Sequence, residues 1–245
     1  MIYDIAGLRI LIENRCKFTE NYCRSYLSED QTSPADISAK VTNEEFYAEK
    51  AQSENFSDGY IENICLYRCI CRQLPVLDRM LLHAAVLEYE GDAYAFLGRS
   101  GTGKSTHTGL WLKYLQGAKI VNGDKPILWA TENGFTAYGT PWNGKEGLGS
   151  NTSAPLKGLC FLEQAKENSI AKLSPSEAAN RLFSQILYPE DEENAARTLE
   201  LADKLVSETP CWLLKCDISE TAVKTSYEAM TGKPYVSSVN KNEGV

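Results

Sequence analysis

Gly98-Arg99-Ser100-Gly101-Thr102-Gly103-Lys104-Ser105, followed by Thr106, is the stretch on which the reading of this chain turns. It satisfies the spacing GxxxxGK[ST] in full. Glycines at 98, 101 and 103 let the backbone curl so that successive N–H groups converge on phosphate oxygens. In such a loop Lys104 reaches the outer phosphates, the Ser105 hydroxyl holds Mg2+, and a helix opening there adds the positive end of its dipole. Working outward, Ala93-Tyr94-Ala95-Phe96-Leu97 reads as a short buried strand, and residues 106–115 read as a helix carrying Leu110, Trp111 and Tyr114. Strand, glycine loop and helix in that order is the context the motif requires. The alternative is a tight turn before an ordinary helix. The nucleotide-binding candidates are Gly98, Ser100, Gly101, Thr102, Gly103, Lys104, Ser105 and Thr106.

The bulk properties set limits on this reading. A chain of 245 residues holds one large domain, or a main domain with a smaller one attached, and buries a sizeable core. Hydrophobic residues make up 43% and charged residues 24%, ordinary values for a globular chain, and the net charge of −8 argues against a surface that grips nucleic acid. A nucleotide site is not excluded by that charge, because a phosphate loop works through backbone dipoles and one lysine. No apolar run approaches the roughly 18 residues of a membrane span. The N-terminus lacks a basic region followed by an apolar one, so the expected compartment is the cytoplasm and the eight cysteines are expected as buried thiols.

Downstream of the loop, Lys119-Ile120-Val121 reads as a strand ending at Asn122-Gly123-Asp124. An acidic residue there is the expected Mg2+ or water-positioning group, so Asp124 joins Ser105 as a candidate metal ligand. Residues 127–131 and 135–138 flank Glu132-Asn133-Gly134 as a hairpin. Tyr138-Gly139-Thr140-Pro141-Trp142-Asn143-Gly144-Lys145 reads either as a structured loop or as a lid that brings Lys145 onto phosphate, and residues 146–155 as a flexible loop. Upstream, the run from Leu81 to Tyr89 pairs with the pre-loop strand across Glu90-Gly91-Asp92. His83 sits at its head and, taken alone, is more readily a packed side chain than a catalyst.

Three segments follow from these elements. Residues 1–72 form a small strand-rich α+β module, with strands over 2–5, 8–12 and about 36–42, a polar stretch over 46–57, and a helix or strand pair over 60–72. Substrate recognition, dimer contacts in a homo-oligomer, or plain structural support are the roles open to it. Residues 73–235 form the α/β nucleotide-binding domain. It includes a strand over 156–162, a helix capped by Ser174, Pro175 and Glu177, helices over 191–208 and 219–229, and a strand over 211–214. Residues 236–245 read as a flexible tail.

Leu82-His83-Ala84-Ala85-Val86, GRSGTGKST over 98–106, the strand end Gly123-Asp124 and YGTPWNGK over 138–145 together resemble the catalytic domain of bacterial HPr kinase/phosphorylase. APLKGLCFLEQ over 154–164 and LSPSEAANRLF over 173–183 look like its smaller relatives, among them kinases of lasso-peptide clusters, with a phosphoenolpyruvate-carboxykinase-like nucleotide fold. The resemblance covers residues 78–215. It implies that His83 pairs with Asp124, that Asp124 is the general base toward a serine hydroxyl, and that Lys104 acts on the transferred phosphoryl group. The implied ligands are ATP and Mg2+, and the implied partner is a peptide, small protein or small molecule bearing a hydroxyl. The chain departs from the pattern at one point that matters. The kinase carries two adjacent aspartates at this strand end, whereas here Lys125 follows Asp124. The downstream glutamate has only Glu146 as a weak counterpart, and neither phosphorolysis nor decarboxylation is implied. The expectation is an ATP-dependent kinase; the alternative is a nucleotide-binding accessory protein with little or no transfer activity.

Overall fold

The computed structural model describes residues 1–53 and 55–237; of the tail expected over 236–245, all but the first two residues lie outside them. The chain opens with β1 (Ile2–Ile5) and β2 (Leu8–Glu13), an antiparallel hairpin turning at Ala6-Gly7, and β3 (Ile37–Lys40) lies parallel to β2. Three helices accompany this small sheet: α1 (Lys17–Tyr22), α2 (Asn43–Gln52) and α3 (Asp58–Gln73). Ile61, Cys65, Leu66 and Ile70 of α3 are buried in one apolar cluster with Tyr3, Ile5, Ile10 and Ile12.

The module is therefore helical more than strand-rich. The reason is visible in α2, whose polar sequence hides a helix. The Thr42 side chain accepts from the Glu45 backbone N–H while the Glu45 carboxylate accepts from the Thr42 N–H, closing a capping box. Only Phe46 and Glu49 of α2 are buried, too few to give an apolar stripe in the sequence.

The larger sheet begins with β4 (Arg79–Leu81), β5 (Ala84–Tyr89) and β6 (Asp92–Leu97). After α4 (Lys104–Tyr114) come β7 (Lys119–Asn122), β8 (Ile127–Thr131), β9 (Gly134–Tyr138) and the long β10 (Ser153–Gln164). The chain closes with β11 (Ser169–Lys172), α5 (Pro175–Leu182), α6 (Glu192–Glu208), β12 (Cys211–Cys216) and α7 (Glu220–Thr231). Strand order is β4-β8-β9-β10-β6-β5-β7, with β12 on β10 and β11 on β12. The start of β10 pairs antiparallel with β9, and its remainder runs parallel to β6 and β12, so one strand carries the sheet round a bend. The result is an α/β fold with a mixed, partly curled sheet.

The central strands are covered on both faces, so they read as apolar runs rather than as alternations. From β6, Tyr94 and Phe96 pack with Trp111 of α4 and Tyr227 of α7, while Ala93, Ala95 and Leu97 pack toward Leu182 of α5 and Leu205 of α6. Helix α5 opens on the expected capping box of Ser174 and Glu177, with Pro175 in the first turn. Among the described residues no helix is long and apolar enough to cross a membrane.

Candidate functional site

Strand pairing brings three distant stretches to one edge. In the β5–β6 pair Ala84 stands opposite Leu97, so His83, just before β5, lies beside Gly98, just after β6. In the β5–β7 pair Val86 stands opposite Asn122, so the residues after β7 reach the same edge, where the Ala84 N–H donates to the Asp124 carbonyl at 3.0 Å.

The side chains meet accordingly. Lys104 Nζ donates to the Gly98 carbonyl at 2.8 Å and lies 3.1 Å from His83 Nε2. Asp124 Oδ1 lies 3.3 Å from the same His83 nitrogen, and Lys125 Nζ donates to Asp124 Oδ2. A single imidazole nitrogen either accepts from the ammonium or donates to the carboxylate, not both at once. Burial alone would raise the Asp124 pKa, but hydrogen bonds and charge from His83 and Lys125 outweigh it and hold the carboxyl down at about 2. Lys104, only 8% exposed, has its pKa lowered by burial, with Asp124 opposing that shift and Lys125 adding to it.

Asn122 fixes the turn. Fully buried, it accepts from the Asp124 and Lys125 N–H groups at 2.9 and 2.7 Å through Oδ1, while its amide donates to the Thr140 carbonyl and hydroxyl. Nothing in the sequence marks Asn122 except its place before Gly123-Asp124.

A cleft of about 560 Å³ opens over these groups, lined by Ser100, Gly101, Gly103, Lys104, Ser105 and Thr106 on one side and by His83, Asp124, Lys125 and Lys145 on the other. Helix α4 begins at this cleft. Its N-cap Gly103 has φ 103°, a left-handed conformation that side chains resist, so glycine is needed there for conformation rather than for space. Gly98 and Thr102 are not brought into the cleft; Thr102 Oγ1 donates back to the Arg99 carbonyl at 2.6 Å, on the other side of the turn. The segment after Gly139 folds over β7: the Gly123 N–H donates to the Leu148 carbonyl and the Ser150 N–H to that of Val121. Lys145, exposed on this segment, borders the cleft together with Glu146. Residues 153–155, expected in a flexible loop, already belong to β10, because they pair with residues 136–138 of β9.

The second histidine is placed differently. His107, on α4, is 2% exposed; its Nε2 accepts from Trp111 Nε1 at 3.2 Å and lies 3.0 Å from Ser226 Oγ. Burial lowers its pKa to about 4, so it is a neutral packing residue.

Residues 50–225 match the family described as SynChlorMet cassette protein ScmC. The chain belongs to this family. The stretch matched to ScmC contains His83, the glycine turn, Asp124, Lys125 and Lys145, so the whole polar cluster lies within it. No curated protein matches the chain. Among solved structures, one described as the HPr(Ser) kinase/phosphatase from Coxiella burnetii is similar at 12% identity, covering 52% of this chain and 88% of that one, with a TM-score of 0.29. The likeness expected from the motifs is thus met only by a weak similarity.

Proposed function

We propose that this protein is an ATP- and Mg2+-dependent kinase of HPr-kinase-like, phosphate-loop type, transferring a phosphoryl group to a serine-like hydroxyl of a peptide, small protein or small molecule. The observation that carries the reading is the meeting of Lys104, His83 and Asp124 at the mouth of the glycine turn. The start of α4 and the Lys104 ammonium suit the cleft to phosphate. The nucleoside would extend along a second cavity of about 460 Å³ beyond the ends of β10 and β12, between Leu110 and the 77%-exposed Ile218.

In this reading Lys104 leaves the Gly98 carbonyl for the outer phosphates. His83 Nε2 is then released from the ammonium and donates to Asp124 Oδ1, which orients the carboxylate. Asp124 receives the hydroxyl proton as the acceptor oxygen attacks. A carboxyl held at about 2 is a weak base, and that suits a loose transition state in which the proton departs late and the carboxylate chiefly aligns the nucleophile. Ser105, half-buried on the same cleft as Asp124, and Asp124 itself have the hard oxygen donors Mg2+ prefers and would hold it. Held there, Mg2+ would supply positive charge to offset that of the transferring phosphoryl group.

One observation favours a second reading, a nucleotide-binding accessory protein. Lys125 occupies Asp124 Oδ2 and competes there with a metal or an acceptor proton. Incubation with γ-labelled ATP, Mg2+ and hydroxyl acceptors decides between the two. The kinase reading expects label transfer, lowered by roughly 10²–10⁴-fold in Asp124→Ala and also lowered in His83→Ala. Tight nucleotide binding that survives Asp124→Ala, without any transfer, would leave only the accessory role.

A further inference from the structure

A second cleft of about 370 Å³ adjoins the first, and the two share Tyr60, Asp124, Lys125, Gly144 and Lys145. Its walls are chiefly rings. Phe56 and Tyr60 lie 4.8 Å apart between centroids on one side, and Tyr67 and Trp142 lie 5.9 Å apart on the other. Ile64 lies between them along α3, and Tyr22 of α1 completes the wall. Lys125, which holds Asp124, also stands over the Tyr67 ring at 5.5 Å, so the cleft ends at the carboxylate.

The floor carries a donor. Asn63 is 3% exposed and its Oδ1 accepts from Trp142 Nε1 at 3.3 Å. Its amide nitrogen makes no hydrogen bond among the described residues. It is not among the enclosed, unsatisfied polar atoms of the described residues and so faces the cleft that Asn63 lines, where a ligand carbonyl can accept from it. Phe56, in turn, is a large apolar side chain left 50% exposed at the rim.

We propose that this cleft is the acceptor subsite, and that the acceptor is a peptide whose hydroxyl residue is flanked by an aromatic side chain. The aromatic side chain lies among Phe56, Tyr60 and Tyr67, the Asn63 amide donates to a peptide carbonyl, and the hydroxyl reaches Asp124. Every ring of this wall except Trp142 comes from residues 1–72, which gives the N-terminal module the work of choosing the acceptor. The inference deepens the kinase reading and rests on it for the role of Asp124, but not for the existence of the cleft.

The test titrates the full chain with N-acetyl-Ser-Phe-amide and N-acetyl-Ser-Gly-amide, with and without a non-hydrolysable ATP analogue, by calorimetry or NMR. The Phe peptide is expected to bind about 10-fold more tightly, the scale of one added aromatic contact. Phe56→Ser, at a half-exposed position that leaves the core intact, should remove most of that preference, and Ile64→Asp should do the same. Equal affinity for the two peptides, no binding of either, or a preference that survives both substitutions overturns the proposal. The two readings fail separately. Label transfer to both peptides alike leaves the kinase and removes the aromatic subsite, whereas selective peptide binding without nucleotide binding leaves the subsite and removes the kinase.

Discussion

Single side chains show how environment assigns roles to identical residue types. The two histidines differ in what surrounds them: His83 lies within reach of Lys104 and Asp124, while His107 is enclosed by Phe96, Trp111 and Ser226. Because burial lowers the folded-state pKa of His107 to about 4, the unfolded chain binds a proton more readily between about pH 6.5 and 4. Stability should be fullest above pH 6.5 and fall by roughly 3 kcal/mol as pH drops through that window. Urea titrations at stepped pH would measure this. His107→Gln, which keeps an acceptor for Trp111, should flatten the slope; an unchanged slope would assign the effect to other groups.

Among elements, the glycine positions separate two physical demands. A Cβ on Gly139 would stand 1.8 Å from the Ser150 carbonyl oxygen and 2.7 Å from that of Val121, so the segment that folds over β7 cannot seat with any side chain there. Gly139→Ala should destabilise by on the order of 3 kcal/mol, lowering Tm by roughly 6–12 °C. Gly109 is exposed inside α4, and a Cβ added to it would meet nothing within 4 Å. Gly109→Ala should stabilise by about 0.5–1 kcal/mol through helix propensity alone. Differential scanning calorimetry of the two variants tests the opposite signs together.

Across the whole molecule, the two sheets are tied by a shared core. Leu81, Ile127 and Trp142 of the larger part pack with Ile5, Ile61 and Ile70 of the N-terminal part. Arg79 stitches the same boundary: nearly buried, it donates from Nε to the Ala6 carbonyl at 2.9 Å and from Nη1 to that of Leu77, and lies over the Trp129 ring at 4.5 Å. Arg79→Met should cost about 2–4 kcal/mol, mainly by leaving those carbonyls unpaired. Because the core is continuous, unfolding should remain one transition, with tryptophan fluorescence and far-UV circular dichroism coinciding in urea. Separate transitions would show that the N-terminal part folds on its own.

How much of this could be read beforehand depended on sequence distance. The strand, glycine turn and helix around residues 98–105, the β8–β9 hairpin and the Ser174 cap are made by neighbours within a few residues, so propensity, turn chemistry and spacing disclose them. The helix α2 escaped because its cap is local but its buried face is only two side chains wide. The approach of His83 to Asp124 could be expected only through a family resemblance, since it depends on the pairing of β7 with β5 across more than thirty residues. The hold of Lys125 on Asp124, the support from Asn122 and the ring-lined cleft between α3 and Trp142 had no sequence signal at all. The sequence by itself determined which backbone would form the glycine turn, because glycine's freedom and helix initiation are local properties. Only the tertiary structure decided which charges and rings face that turn, because those positions follow from strand register and from the packing of α3 against the sheet.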